Sequence, residues 1–275
     1  MPTLTAAKSA SNIKFMSRKL LFFLLLIAPI TPLCAQSVDD IVASYIKARG
    51  GLDKIKAVDT ERVTGSISLG PDAESTFVLE RKRPLKLRME ITVNGQTLIR
   101  TFDGKSSGWT YNPFTPDPAV KPMTEEEIRG VQEEADFDGP FIDYKAKRNQ
   151  LEFVGKQDVL GKPAYKVKLT NKNGDVSSFY FDASTGLLLK WEGTRKVNDK
   201  DVPWESYFHD FREVGGVKYP FLIESDAPGT DQSQRINAEK IEANIPIDDA
   251  RFEKPNPAAA APAPEAPPAE APKQN

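Results

Sequence analysis

Cysteine and histidine are almost missing from this chain: 275 residues carry one of each, and their scarcity excludes much chemistry. The one cysteine is Cys34, so residues 36 to 275 contain no thiol and cannot form a disulfide framework. With His209 the only histidine, a zinc site would have to be built almost wholly from carboxylates, which structural zinc does not use. A Ser-His-Asp triad would need the same residue. His209 lies in WESYFHDFREV with Tyr207 and Phe211 on its own side of a strand, and no G-x-S-x-G turn supplies a nucleophile, so a packed or half-exposed sheet histidine is expected. A phosphate-cradling G-x-x-x-x-G-K loop is also missing. No segment after residue 35 is apolar for long enough to span a bilayer.

Charge of one sign is lacking too, with a net charge of −2. The first 35 residues read as a secretory signal peptide: Lys14, Arg18 and Lys19 precede the apolar run Leu20 to Ile30, and Leu33-Cys34-Ala35 stands before Gln36. Met16 is an alternative start. Cys34 admits a lipidated reading, but Leu33 stands where such cysteines usually have a small residue, whereas Ala35 suits ordinary cleavage. Removal of residues 1–35 takes away Lys8, Lys14, Arg18, Lys19 and no acid, which moves the net charge to −6. That balance argues against a nucleic-acid partner. An exported chain without disulfides must be held by its own core, so residues 36–256 are expected to form one globular domain in the periplasm. Residues 257–275, PAAAAPAPEAPPAEAPKQN, lack apolar anchors and read as a disordered, extended tail.

Periodicity sets the architecture. Ser37-Val38-Asp39-Asp40 has a Ser cap with an acid three residues on, Ile41, Val42, Tyr45 and Ile46 follow at helical spacing, and Gly50-Gly51 ends the helix. Leu52 to Val58 adds a short helical turn. From Glu61 the period becomes 2. Leu85, Leu87, Met89, Ile91 and Val93 alternate with Lys86, Arg88, Glu90 and Thr92 before the hairpin residues Asn94-Gly95. Similar runs meet at Asn173-Gly174, Ser184-Thr185-Gly186 and Gly215-Gly216. Eleven or twelve strands joined by short turns predict an antiparallel meander or barrel. One interruption is predicted: Thr124-Glu125-Glu126-Glu127 opens a helix to about Ala135, and ADFDGPFIDYK leads back to the sheet near Leu151. The acids of EEEIRGVQEEADFD fit no calcium loop and read as a solvated helix face.

The densest basic stretch, RKRPLKLR at 81–88, sorts by strand parity. Lys82, Lys86 and Arg88 fall on the solvent side, and Arg81 and Arg83 fall inward with Phe77 and Leu79. A sheet with one apolar face must bury it against another layer or around a ligand. A curved sheet with helices in its mouth would enclose a cavity lined by Phe77, Leu79, Leu85, Leu87, Met89, Ile91, Phe102 and Trp109. On periodicity alone the same residues fill a dry core equally well.

Lys82-Arg83-Pro84, Phe102-Asp103-Gly104-Lys105, Trp109, Tyr111-Asn112-Pro113-Phe114 and the ending Ile247-Asp248-Asp249-Ala250-Arg251-Phe252 occur in an order that resembles the LolA-like periplasmic lipoprotein carriers over most of residues 37–256. ADFDGPFIDYK and FYFDASTGLLLKWE resemble the outer-membrane lipoprotein-sorting-like subgroup. This resemblance implies a half-open antiparallel barrel of about 11 strands, with helices as a lid over an apolar cavity that takes lipoprotein acyl chains or another lipid. Arg83 matches the family arginine that latches the lid through backbone carbonyls. An inner-membrane release complex and an outer-membrane acceptor are implied as partners, and a monomer is expected. No cofactor, metal or catalytic residue is expected, and the chain does not read as an enzyme. FDGP and the Pro/Ala tail depart from the family pattern and leave the cargo less defined than the cavity. A lipid-responsive sensor of the same fold and a carboxylate-using hydrolase are the rival readings.

Overall fold

The computed structural model describes residues 36–69, 74–197, 200–230 and 233–257. The expected signal peptide, Cys34 within it and the tail beyond residue 257 lie outside the described residues. Helix α1 spans Val38–Ala48 behind a complete capping box, in which Ser37 Oγ accepts from the Asp40 amide at 3.1 Å and Asp40 Oδ2 accepts from the Ser37 amide at 3.3 Å. Its apolar side buries Ile41 and Val42. Helix α2, Leu52–Lys56, follows at once. The glycines between them have a steric reason: Gly50 has a φ of 123°, and a Cβ there would meet Gly216 O at 2.1 Å. The end of α1 is thus pressed against the Gly215-Gly216 hairpin, where the Lys218 amide donates to Arg49 O at 2.8 Å.

Strands β1 (Thr60–Leu69), β2 (Glu74–Lys82), β3 (Lys86–Val93), β4 (Gln96–Phe102), β5 (Gly108–Tyr111) and β6 (Val120–Pro122) form a first meander. Helix α3, Glu125–Ala135, and an irregular segment at 136–149 follow. A second meander contains β7 (Gln150–Val159), β8 (Lys162–Thr170), β9 (Val176–Asp182), β10 (Leu188–Val197), β11 (Lys200–Val214), β12 (Val217–Asp226) and β13 (Ser233–Ala243). The two meanders join where β1 pairs antiparallel with β13, giving one sheet in the order β6-β5-β4-β3-β2-β1-β13-β12-β11-β10-β9-β8-β7. Its two edges, β6 and β7, are therefore consecutive in sequence, and α3 with segment 136–149 is the connection between them. This is the expected half-open antiparallel barrel, with thirteen strands among the described residues. Asn94-Gly95, with φ of 50° and 76°, makes the β3–β4 hairpin as its sequence demands.

The inner face carries three apolar clusters. Val63, Ile67, Phe77, Phe221 and Ile241 surround Phe137 and Ile142 of segment 136–149. Val167, Leu169 and Phe181 meet α1 and Phe141 of the same segment. Leu87 and Phe102 lie under Val131 and Ala135 of α3. The segment thus fills both halves of the barrel.

The outer face of β1–β4 is covered in part by a 3₁₀ turn, Asp249–Phe252, whose Phe252 is fully buried. Here parity named the correct face and missed its occupant. Arg88, expected toward solvent, is 5% exposed, and it donates to Arg251 O at 3.0 Å and pairs with Glu90 at 2.6 Å. Arg251 reaches Glu80 at 2.8 Å and Glu90 at 3.2 Å, and Arg62 reaches Glu80 at 2.7 Å. Two guanidiniums therefore compensate a carboxylate that is 1% exposed. Lys82 and Lys86 hold Asp249 at 2.7 and 3.0 Å. The outward basic residues of RKRPLKLR fasten the chain's own C-terminal turn.

Candidate functional site

The two inward arginines sit where α2, α3 and segment 136–149 converge. Arg83 Nε donates to Val58 O at 2.8 Å, and its Nη2 donates to Ile55 O at 3.1 Å and to Asp138 Oδ1 at 2.8 Å. Ile55 O, in the last turn of α2, also accepts from the Val58 amide at 3.3 Å, and Val58 O lies two residues past the helix. Arg83 adds its donors to both while tying α2 to the segment. Lys56, on α2, closes the arrangement by bridging Asp138 at 2.6 Å and Asp143 at 2.8 Å. Arg81 Nη1 donates to Glu134 O at 3.1 Å at the end of α3, and its Nη2 pairs with Glu61 at 2.6 Å. Both guanidiniums lie against the Phe137 ring, at 4.8 and 5.1 Å from its centroid.

Electrostatics make the tie sensitive to acid. Burial alone would raise the Asp138 carboxyl, but hydrogen bonds and charge from Arg83 and Lys56 prevail and hold it below the ordinary 3.8. A carboxyl lowered by folding stabilises fully above its unfolded value and loses that stabilisation as pH falls through its folded value. Acidification below about pH 3.8 is therefore expected to lower the protection of amides in residues 136–149, relative to their intrinsic exchange rates, before the β1–β13 pairing responds. Asp138→Asn should exchange fast already at pH 6 and show little further acceleration. Equal acceleration of segment and sheet amides in the wild type would contradict this.

Seven of the eight residues expected to line a cavity share the inner face. Phe77 is buried beside Phe137, with Leu79, Met89 and Ile91 packed against the same cluster. Leu87 and Phe102 lie beneath α3, with Leu85 at their margin. Trp109 is not among them: it pairs with Thr101, whereas Phe102 pairs with Gly108, so Trp109 faces outward. The register is set by Asp103, whose Oδ1 accepts from the amides of Lys105, Ser106 and Ser107 at 2.8–3.0 Å. The clusters that take in these seven also contain Ile55 of α2, Phe137 and Ile142 of the segment, and Val131 and Ala135 of α3.

Three site residues escaped the sequence reading: Lys56, Asp138 and Glu61. Glu61 had a signal, because it shares the parity of Val63 and Ile67 and so places a carboxylate on the apolar side. The acids around Asp138 looked like helix-face decoration, and nothing local ties that residue to Arg83, 55 positions away.

The fold is similar to that of solved open-barrel proteins of the LolA-like kind. A LolA superfamily protein from Nitrosomonas europaea superposes with a TM-score of 0.52 at 16% identity, covering 80% of this chain and 99% of that one. A DUF1329 family protein from Desulfovibrio piger gives 0.56 at 14% identity, covering 78% of this chain and 97% of that one. An outer membrane lipoprotein-sorting protein domain from Vibrio parahaemolyticus gives 0.54 at 13% identity, covering 78% and 95% respectively. At these identities the likeness is one of fold. No protein-family model and no curated protein matches the sequence.

Proposed function

We propose that residues 36–256 form a periplasmic carrier that shields the acyl chains of a lipoprotein or another lipid, and that Arg83 latches its lid. The observation that carries this reading is the construction of the latch: a few polar contacts hold α2 and segment 136–149 over a continuous apolar face. Burial of a CH₂ group is worth about 0.8 kcal/mol, so a long acyl chain does not cross an aqueous compartment unaided. A carrier must hide the chain and still release it, and a movable cover over aliphatic residues does both without a deep energy well. On this reading Phe77, Leu79, Leu85, Leu87, Met89, Ile91 and Phe102 touch the chains once the cover lifts. The carrier works as a monomer, receives cargo at the inner membrane and passes it to an outer-membrane acceptor. The scheme requires no catalytic group. The lipoprotein-sorting label of the Vibrio parahaemolyticus structure supports the same cargo class.

Native mass spectrometry of the exported protein tests the proposal. Mass increments from extractable acyl lipid are expected, and mixing with membrane-embedded lipoproteins and the release machinery should yield soluble complexes. A protein that stays lipid-free and takes up no acyl ligand rules out the carrier. Bound lipid without any lipoprotein complex would favour a lipid sensor of the same fold.

A further inference from the structure

Within the apolar interior lies one polar recess. Glu61 is 1% exposed, and both of its bonds from Arg81, at 2.6 and 3.2 Å, fall on Oε1. Its Oε2 is buried and has no hydrogen-bond partner among the described residues. A cavity of about 10 Å³ adjoins it, lined by Arg49, Arg81, Tyr219 and Phe137 together with Ile55 and Val58. That is room for about one water molecule. The Arg49 guanidinium lies over the Tyr219 ring at 5.7 Å and holds Lys218 O at 3.4 Å. Burial, then the charge of Glu61 and the approach of the phenol to that carboxylate, raises Tyr219 above the ordinary tyrosine value, so it stays a neutral phenol with its proton toward Glu61.

The recess and the latch share a wall. Ile55 and Val58 are the residues whose carbonyls Arg83 holds, and Phe137 is the ring that both inward arginines touch. These three residues also belong to the cluster that contains Phe77 and supports Leu79, Met89 and Ile91. Movement of the segment would widen the recess at the end of the apolar face.

We propose that this recess is a polar-head subsite, taking an uncharged head group that donates a hydrogen bond to Glu61 Oε2, such as the hydroxyl of a monoacylated glycerol. The proposal rests on the lipid-carrier reading and specifies what that site selects. An anionic head would face the free carboxylate oxygen at close range. A cationic head would face Arg49 and Arg81. A neutral hydroxyl satisfies Oε2 and can in turn accept from Arg49.

The test is displacement of a fluorescent acyl probe from the exported protein by three ligands of one chain length: a monoacylglycerol, a fatty-acid methyl ester and the free fatty acid. The expected order of affinity is monoacylglycerol, methyl ester, fatty acid, with about tenfold between the first two, the value of one hydrogen bond to a charged group. Glu61→Gln should keep monoacylglycerol binding and raise the fatty acid to at least the methyl ester, because the amide can donate to a carboxylate. If that variant does not fold, the wild-type order decides the matter alone. Three equal affinities would overturn the subsite and leave the carrier standing. Failure of the probe and of all three ligands to bind would overturn both.

Discussion

Replacement of Arg83 by Leu is expected to free segment 136–149 while leaving the sheet intact. The substitution removes the donors to Val58 O, Ile55 O and Asp138 at one stroke. It leaves Asp138, 10% exposed at its side chain, with Lys56 as its remaining cationic partner. Breaking a buried pair from one side costs about 3–5 kcal/mol. Arg83 keeps 24% of its side chain exposed, so the loss should fall nearer about 2–3 kcal/mol. Amide exchange in 136–149 should then rise about thirtyfold or more, with β1–β4 unchanged. Acyl-lipid release should accelerate in parallel. The matched control is Arg62→Leu, which breaks a pair with Glu80 on the outer face and should leave the segment's exchange alone. Wild-type exchange and release rates in Arg83→Leu would remove the latch from the scheme.

Phe141→Ala should carry the largest penalty of any single change in the segment. Phe141 is 2% exposed and its ring lies 4.8 Å from Phe179, 5.1 Å from Phe181 and 5.5 Å from Tyr45, in edge-on and T-shaped contacts. Truncation of a buried phenylalanine costs about 3–5 kcal/mol, which for a domain of this size lowers Tm by about 8–15 °C. Phe141→Leu keeps much of the volume and should cost less than half as much. A thermal scan placing Phe141→Ala within about 2 °C of wild type would show that the segment does not depend on this packing. The contrast with Arg83 is informative: on the α1 side the segment is held chiefly by the Phe141 aromatic cluster, whereas on the α2 side the packing of Phe137 and Ile142 is joined by the buried ion pairs of Asp138. Motion should begin at the polar end.

Local patterns carried most of the architecture. The capping residues Ser37 and Thr124 start their helices as their sequence requires. Asn94-Gly95 fixes a hairpin, and alternation from Leu85 to Val93 sorts one face from the other. Arg83 stood out as an inward arginine in need of partners, and it meets Ile55 O, Val58 O and Asp138. Trp109 was misplaced because its face depends on a five-residue turn, where Asp103 and its acceptor bonds decide the register and alternation is silent. Strand β6, three residues within a proline-rich stretch, is too short to show a period. Arg88 was assigned the correct side, but burial under Arg251 is a contact across 163 positions that strand parity does not encode. Asp138 escaped for the same reason: its partners Lys56 and Arg83 are 82 and 55 positions away in sequence.

The adjacency of β6 and β7 in sequence has a further consequence. The joint that completes the barrel, β1 with β13, lies within the sheet interior, whereas the gap is bounded by neighbours in the chain. Everything between Pro122 and Gln150 therefore lies outside the strand ladder. A change in the length of this stretch leaves every strand with the same pairing partners, provided the places of Phe137, Phe141 and Ile142 in the core are refilled. A barrel wired in this way can change the size and chemistry of what it covers by editing one stretch of its gene, while the folding problem solved by the other strands stays the same.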